Sequence, residues 1–304
     1  MKKVFISIVN FNGNKNTLEC LRSIDNLNIT DLNLNVVVID NASKVKLDLE
    51  ENFLKNVSLK IILNSKNIGF SGGQNLGIDY ALSKAADYIV ILNNDTILSK
   101  DLVYKLLSVF DSDSSVGIVS PKIYFAKGFE FHKDRYKKED LGRVLWYAGG
   151  NMDWENVIGK HTGVDEVDKG QYEKTKEIDF SSGCCMMVKR EIFEKVGKLD
   201  ERYFLYYEDN DFSQRVKKAG YKIMYQPKTM LWHKNAGSAG GSGSSLQDYY
   251  ITRNRLMFGL KYASFKTKLA LLKESARLLI TGRHWQKKGI SDFYLRRFGQ
   301  GSYT

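Results

Sequence analysis

Val36-Val-Val-Ile-Asp-Asn-Ala-Ser43 decides the fold class. An unbroken run of β-branched residues fits a strand buried on both faces, as in a parallel sheet, better than one with a solvated face. Val4-Phe-Ile-Ser-Ile-Val9 repeats the pattern, and between the two runs Leu18, Leu21, Ile24 and Leu27 fall at helical spacing within Asn16–Leu27. That is a β-α-β opening. The alternation continues through a strand at Leu59–Leu63, a helix at Gln74–Lys84, a strand at Tyr88–Leu92 and a helix at Lys100–Phe110. The predicted class is α/β, with a mostly parallel, Rossmann-like central sheet flanked by helices.

Beyond Ile118 the alternation weakens. Residues 127–177 are charge-rich with scattered glycines and read as a long excursion carrying one or two short strands. Arg190–Val196 and Asp209–Ala219 read as helices, and Lys222–Gln226 as a strand ended by Pro227, which has no N–H for a ladder. Asn235-Ala-Gly-Ser-Ala-Gly-Gly-Ser-Gly-Ser-Ser245 predicts a flexible Gly/Ser loop over 236–248, either a linker or a loop that orders on a ligand. Tyr249–Leu260 and Lys268–Ile280 read as basic helices.

With 43% apolar side chains, 304 residues bury a large core, which excludes disorder as the main state. Of three cysteines, Cys184 and Cys185 are adjacent, so neither a disulfide framework nor a Cys-x-x-Cys zinc site can form. A reducing, cytoplasmic compartment is the expectation. No run reaches the roughly 18 apolar residues of a spanning helix, and Met1–Asn10 reads as a strand rather than a signal peptide. The net charge of +11 is unevenly placed: residues 249–304 hold 12 Lys and Arg against 2 Asp and Glu, leaving the first 248 residues at +1. A neutral body with a basic appendage argues against nucleic acid and for an anionic membrane surface as the appendage's partner.

Ligands of a parallel sheet bind beyond the carboxyl ends of its strands. Here those ends are Asn10-Phe-Asn12-Gly13, Asp40-Asn41-Ala-Ser43, Asn64–Asn75 and Asn93-Asn94-Asp95, all polar, which suits a nucleotide cleft. The run Asn67-Ile-Gly69-Phe-Ser-Gly72-Gly73-Gln-Asn-Leu-Gly77 lacks G-x-G-x-x-G spacing, and no G-x-x-x-x-G-K-[ST] occurs, which disfavours a dehydrogenase and a P-loop ATPase. Its glycines suit close approach of backbone to a ligand or a plain turn before a helix. Asp40 suits an acceptor for a pyrimidine imide N–H or a cap on the next turn. Asp95 stands where a carboxylate meets Mg²⁺ or Mn²⁺ beside diphosphate oxygens. Glu208-Asp209-Asn210-Asp211 crowds carboxylates beside Tyr206, Tyr207 and Phe212, which raises a pKa as a general base needs; a solvated helix N-terminus has the same composition. His233 lies between an apolar segment and the glycine loop, where it is a ligand or a structural residue.

In this order, over about residues 3–260, the pieces resemble the inverting glycosyltransferases of family two, and among them the rhamnosyltransferase-like group of bacterial cell-surface polysaccharide synthesis. The carriers are Ile8–Gly13, Val38–Ser43, Asn67–Gly77, Leu92-Asn-Asn-Asp-Thr96, Gly183–Arg190, Phe204-Leu-Tyr-Tyr-Glu-Asp-Asn-Asp-Phe212, His233 and Tyr249-Tyr-Ile-Thr-Arg-Asn-Arg255. The resemblance implies a GT-A fold with a basic helical C-terminal extension. The catalytic domain would span 1–235 (nucleotide-sugar-binding half 1–115, acceptor half 116–235) and the basic helical region 249–304. It places Asp40 on the pyrimidine, Asp95 and His233 on Mn²⁺ or Mg²⁺, and Asp209 as catalytic base, with Glu208 and Asp211 as secondary candidates. Asn10, Asn12, Asn41, Asn67, Gly69, Gly73 and Asn94 complete the donor site, with Arg253 or Arg255 reaching the phosphates. The family's Asp-x-Asp is here Asn93-Asn94-Asp95, with one carboxylate, so the metal is expected to enter with the donor.

The implied reaction moves a sugar, rhamnose in the group resembled, from a UDP- or dTDP-linked donor to a hydroxyl of a glycan or lipid-linked glycan. The enzyme is expected on the cytoplasmic face of the plasma membrane, docked through residues 261–304. A nucleotidyltransferase acting on sugar phosphates would carry a basic Gly-rich loop after the first strand, where Asn12-Gly-Asn-Lys15 has one lysine. A non-catalytic nucleotide-sugar or glycan-binding module would release no nucleoside diphosphate.

Overall fold

The computed structural model describes residues 1–50, 53–235 and 244–303. β1 (Lys2–Asn10), α1 (Asn14–Asp25) and β2 (Leu32–Asp40) form the β-α-β opening. Next come β3 (Ser58–Leu63), α2 (Gly69–Ser83), β4 (Tyr88–Asn93), β5 (Thr96–Leu98), α3 (Leu102–Ser112) and β6 (Val116–Phe125). The excursion carries β7 (Leu145–Tyr147), β8 (Gly150–Asp153), β9 (Ile158–His161) and β10 (Lys176–Glu177). The body closes with β11 (Cys185–Lys189), α4 (Arg190–Val196), α5 (Glu208–Lys218) and β12 (Lys222–His233). Then follow α6 (Ser245–Tyr262), α7 (Phe265–Thr281) and α8 (His284–Tyr294).

The main sheet runs β10-β12-β6-β11-β4-β1-β2-β3, with β5 added to β12 and β7 to β6; β8 and β9 form a separate hairpin. β3, β2, β1 and β4 pair in parallel, as do β6 and β12, whereas β11 is antiparallel to both of its neighbours, β4 and β6. Val36–Ile39 and Ile89–Leu92 are buried, as their unbroken apolar runs require.

Several expectations are corrected. β12 does not stop at Pro227: its ladder to β6 jumps from Gln226 opposite Pro121 to Met230 opposite Lys122, so the residue without an N–H falls in a bulge and the strand runs on to His233. The excursion holds more strands than expected, and α8 had no counterpart in the sequence reading. Of the Gly/Ser loop expected over 236–248, residues 236–243 lie outside the described residues, and α6 already begins at Ser245, its N-terminus capped by the Ser244 hydroxyl accepting from the Gln247 N–H.

α2 begins at Gly69 rather than Gln74 because its glycines serve packing, not a loop. A Cβ at Gly77 would stand 2.0 Å from Ser7 Oγ, and one at Gly73 2.8 Å from a Val9 methyl. The helix therefore rests on β1 at a distance that only hydrogen side chains permit.

α7 packs on the body through Leu271 and Ser275, both buried, with Leu271 against Gly259 of α6. The adjoining face leaves Phe265, Leu269, Leu272, Leu279 and Ile280 exposed. Among the described residues no helix is long and apolar enough to cross a membrane.

The helix-on-strand contact yields a stability test. Gly77→Ala gains about 1 kcal/mol of helix propensity, but overpacking a site that cannot give costs about 1–3 kcal/mol. We expect a net loss in denaturant melts, with Ser7→Ala, which removes the obstructing hydroxyl, recovering part of it in the double variant. A more stable Gly77→Ala would show that the contact is looser than described.

Candidate active site

Asn10 ends β1 and organises the strand ends around it. Its Nδ2 donates to Asn14 Oδ1 (2.8 Å), Asp40 Oδ2 (3.2 Å) and Ser43 Oγ (3.2 Å), and its Oδ1 accepts from Thr17 Oγ1 (2.9 Å) and Asn94 Nδ2 (3.5 Å). Asn12, at a left-handed φ of 54°, donates its N–H to Ser43 Oγ (2.9 Å) and accepts the Lys44 N–H at Oδ1 (2.8 Å). Asn41 donates to Asn67 Oδ1 (2.9 Å) and to the Gly69 carbonyl (3.0 Å). The floor of the cleft is thus a net of amide side chains bonded to one another.

Asp40 is buried and accepts the N–H groups of Ser43 (2.8 Å) and Leu47 (2.7 Å) besides Asn10. These bonds cap the turn that follows β2. Gly69 and Gly73 both make close contacts within the chain. At Gly69 (φ 77°) a Cβ would stand 2.4 Å from the Phe204 carbonyl, which accepts the N–H groups of Phe70 (2.7 Å) and Ser71 (3.3 Å). The close approach is made by the chain's own 204 turn, and Gly73 packs on Val9.

Asp95 and His233, 138 positions apart, do converge. β5 pairs with the end of β12, Thr96 opposite His233, and His233 Nε2 lies 3.1 Å from Asp95 Oδ1. The Lys234 N–H holds the Asp95 carbonyl (2.9 Å) while its ammonium pairs with Glu19. A divalent cation at about 2.1 Å from each of two cis ligands sets them roughly 3 Å apart, so this pair fits one without rearrangement. His233 Nδ1 is buried without a hydrogen-bond partner, so the ring is not fixed by a second bond. Among the described residues no cluster of three His, Cys, Asp or Glu exists.

The acidic run opens α5. Asp209 Oδ2 accepts the Gly183 N–H (3.0 Å), and Oδ1 accepts the Asn210 N–H (2.7 Å) and Nδ2 (2.9 Å). Burial pushes its pKa above the usual carboxylate range against the opposing pull of those bonds. Glu208 is buried with Oε2 unpartnered, and burial, helped by the Asp209 charge, pushes it up well beyond that range. Asp211 is fully buried and accepts from Lys261 Nζ (2.6 Å), Tyr262 Oη (2.8 Å) and Arg215 Nε (2.8 Å).

Neither arginine points at the cleft. Arg253 is buried with its guanidinium on backbone carbonyls, among them Tyr203 (3.0 Å) and Gly299 (2.8 Å). Arg255 donates to the Asn156 carbonyl (2.7 Å) and pairs with Glu274 (3.0 Å). Both guanidinium groups are thus engaged within the chain.

Some residues of the site carried no role in the sequence reading. Trp146 lies edge-on between His233 (4.7 Å) and His161 (4.4 Å), and Tyr147 packs on His161 at 5.1 Å. Burial pushes the His161 pKa down to about 4, so it is neutral at pH 7. The only signal in the sequence was the Trp-Tyr pair ahead of Gly149-Gly150. Gly183 supplies the Asp209 hydrogen bond through its backbone, which no side-chain reading detects. Its neighbour Cys184 accepts the Asn93 N–H (2.9 Å), which ties the Asp209 contact to the Asp95 turn. The cleft therefore joins a carboxylate suited to taking a proton and a pair suited to one cation.

Glu208 gives a pH test. Below about pH 4, the unfolded carboxyl value, both states hold the proton; as pH rises the unfolded chain releases it first, so folding loses stability. We expect Glu208→Gln to raise the melting temperature at pH 8 and to change it little at pH 4. An equal effect at both pH values would contradict a buried, titrating Glu208.

Residues 5–197 match the Glycosyl transferase family 2 domain. The chain is 26% identical over 222 residues to the low-salt glycan biosynthesis hexosyltransferase Agl10 of Haloferax volcanii, covering 73% of this chain and 66% of that protein. To the dTDP-rhamnosyl transferase RfbF of Shigella flexneri it is 26% identical over 267 residues, 84% of this chain and 79% of that one. Its fold is similar to that of GalNAc-T7 with UDP, GalNAc and Mn²⁺ (TM-score 0.62, 16% identity, 90% of this chain and 54% of that one). It is also similar to S. aureus TarS 1–349 in complex with UDP-GlcNAc (TM-score 0.59, 14% identity, 96% and 80%). The chain thus spans about two thirds of Agl10 and half of GalNAc-T7, and the expected GT-A fold is the fold found. Because the family match runs from the first strand through the Gly183 turn on which Asp209 rests, the chain belongs to glycosyl transferase family 2.

Proposed function

We propose that this chain transfers a sugar, with inversion, from a UDP- or dTDP-linked donor to a hydroxyl of a glycan or lipid-linked glycan in cell-surface polysaccharide synthesis. The observation that carries the reading is the join of the Asp209 carboxylate, through Gly183 and Cys184, to the turn bearing Asp95 and its partner His233. Rhamnose is the favoured sugar because RfbF and RfbN, two of the relatives, are named rhamnosyl transferases.

In this mechanism Asp209 takes the proton of the acceptor hydroxyl. The oxygen attacks the anomeric carbon on the face opposite the diphosphate, and the bond to the diphosphate breaks with its electron pair on the leaving group. Asp95 and His233 would hold the cation, which supplies neutralising charge for the departing diphosphate. One imidazole nitrogen in the ligand set favours Mn²⁺ over Mg²⁺, which prefers oxygen ligands throughout. Asn10, Asn41, Asn67 and Asn94 shape the donor side through their amide net.

Docking on the cytoplasmic leaflet belongs to the same proposal. The outward face of α7 combines Phe265 (77% exposed) and Ile280 (78% exposed) with Leu269, Leu272 and Leu279, flanked by Lys266, Lys268, Lys273 and Arg277. Apolar residues bordered by cations fit an anionic lipid surface, and each cation near such a surface contributes roughly 1 kcal/mol.

Release of nucleoside diphosphate from a panel of sugar nucleotides with Mn²⁺ tests the reaction. Asp209→Asn should cut turnover by about 10²–10⁴-fold with donor affinity nearly unchanged. In the parent the acid limb of the pH profile should lie above the usual carboxylate range, since Asp209 must be ionised to accept a proton. Turnover of Asp209→Asn within about tenfold of the parent would overturn the base assignment.

For the surface, co-sedimentation with vesicles containing phosphatidylserine should be strong at low salt and fall as salt screens the charge. Leu272→Asp together with Ile280→Asp should abolish it. Equal binding to neutral vesicles would overturn the electrostatic reading.

A further inference from the structure

The turn before Asp209 has an unusual backbone. Phe204, Tyr206 and Tyr207 all hold left-handed φ values of 65°, 68° and 72°, a region that aromatic side chains disfavour. Such a conformation persists only where the surroundings enforce it. The enforcing groups come from adjacent residues on α6. Asn254 Nδ2 donates to the carbonyls of Tyr203 (2.9 Å), Leu205 (2.8 Å) and Tyr206 (2.8 Å). Arg253 Nη2 donates to Arg202 (3.2 Å) and Tyr203 (3.0 Å), while its Nη1 donates to Gly299 (2.8 Å). Arg253 Nε in turn donates to Asn254 Oδ1 (3.0 Å), which fixes the amide with its NH₂ toward the turn. Both side chains are fully buried, and the guanidinium lies over the rings of Tyr249 (5.3 Å) and Tyr250 (5.1 Å).

We propose that Arg253 and Asn254 are positioning residues that set the place of Asp209 by clamping the backbone of residues 202–206. The inference rests on the reading of Asp209 as the base. The left-handed residues gather the carbonyls of 203, 205 and 206 on one side, where buried acceptors need donors. A lysine brings one ammonium to this point, whereas the planar guanidinium brings a fork of donors that serves two carbonyls of the turn and the C-terminal segment at once. Without the clamp the turn relaxes toward ordinary φ values. Asp209, two residues past Tyr207, then leaves the Gly183 N–H that aims its carboxylate. Neither clamp residue touches a reacting atom, so the effect is on geometry rather than on donor affinity.

The test uses the full chain with Asn254→Ala, Arg253→Lys and Arg253→Ala, read by hydrogen–deuterium exchange and by kinetics. We expect faster exchange confined to residues 203–210, with β1, β4 and β11 unchanged. We also expect kcat to fall about 10–100-fold with the donor KM within about twofold, and Arg253→Lys to retain more activity than Arg253→Ala. Exchange over 203–210 equal to the parent's, or a raised KM with kcat intact, overturns the clamp. A parent that turns over no sugar nucleotide overturns the reading of Asp209 instead, and exchange then decides the clamp alone. If Arg253→Ala does not fold, Asn254→Ala, which removes a neutral group, carries the same comparison.

Discussion

Strand β11 runs against its neighbours, and the cleft depends on that reversal. In a wholly parallel sheet every amino end lies far from the ligand edge; a reversed strand between β4 and β6 brings its amino end there. Cys185 pairs with Leu92, so Gly183 and Cys184 fall beside the Asn93–Asp95 turn. The N–H that holds Asp209 is thereby fixed relative to Asp95 by a ladder rather than by a loop. β12, parallel to β6, delivers His233 to the same edge from the other side. The chemistry-bearing groups stand on ends of rigid strands or beside them, where small displacements are costly to make.

The positions of the site were legible in the sequence to a larger degree than their work was. Unbroken apolar runs locate strand ends, and the strand ends hold Asn10, Asp40 and Asp95 as expected. What a run does not reveal is which local partner captures the side chain. Asp40 has the N–H groups of Ser43 and Leu47 three and seven residues on, and such short loops cost little entropy to close. Arg253 is expected to reach the donor phosphates, and arginine is seldom buried. Its burial rests on carbonyls from residues about fifty positions earlier and later. Glycines in a helix lower its propensity, so α2 was expected to begin after them, yet contact with β1 outweighs propensity there.

The turn at 204–207 was invisible for a sharper reason. Its sequence, Phe-Leu-Tyr-Tyr, carries no glycine or asparagine to mark left-handed backbone. Each such residue costs about 1–2 kcal/mol, so the turn is a local loss that only tertiary contacts offset. The Phe204 carbonyl held by the Phe70 and Ser71 N–H groups at one end, and Asp211 held by Lys261, Arg215 and Tyr262 at the other, bracket the Asp209 carboxylate. Strain of this kind concentrates beside reacting groups because it fixes a carboxylate where an unstrained chain would not leave it.

α7 shows how one apolar pattern serves two surfaces. Leu271 and Ser275 are four apart and buried, Leu271 against Gly259 of α6 and the Ser275 hydroxyl beside Tyr294 of α8, while Leu272 and Leu279 are seven apart and exposed. At 100° per residue these stripes are neighbours on the helix, so periodicity alone could not tell a packed helix from an interfacial one. One stripe packs on the body, and the other is exposed among the described residues. The inner stripe anchors α7 against α6, the helix that carries Arg253 and Asn254. Gly259, which meets Leu271, and Asn254, which holds the Tyr203 carbonyl, sit on the same helix, so the basic extension is packed onto the body through α6.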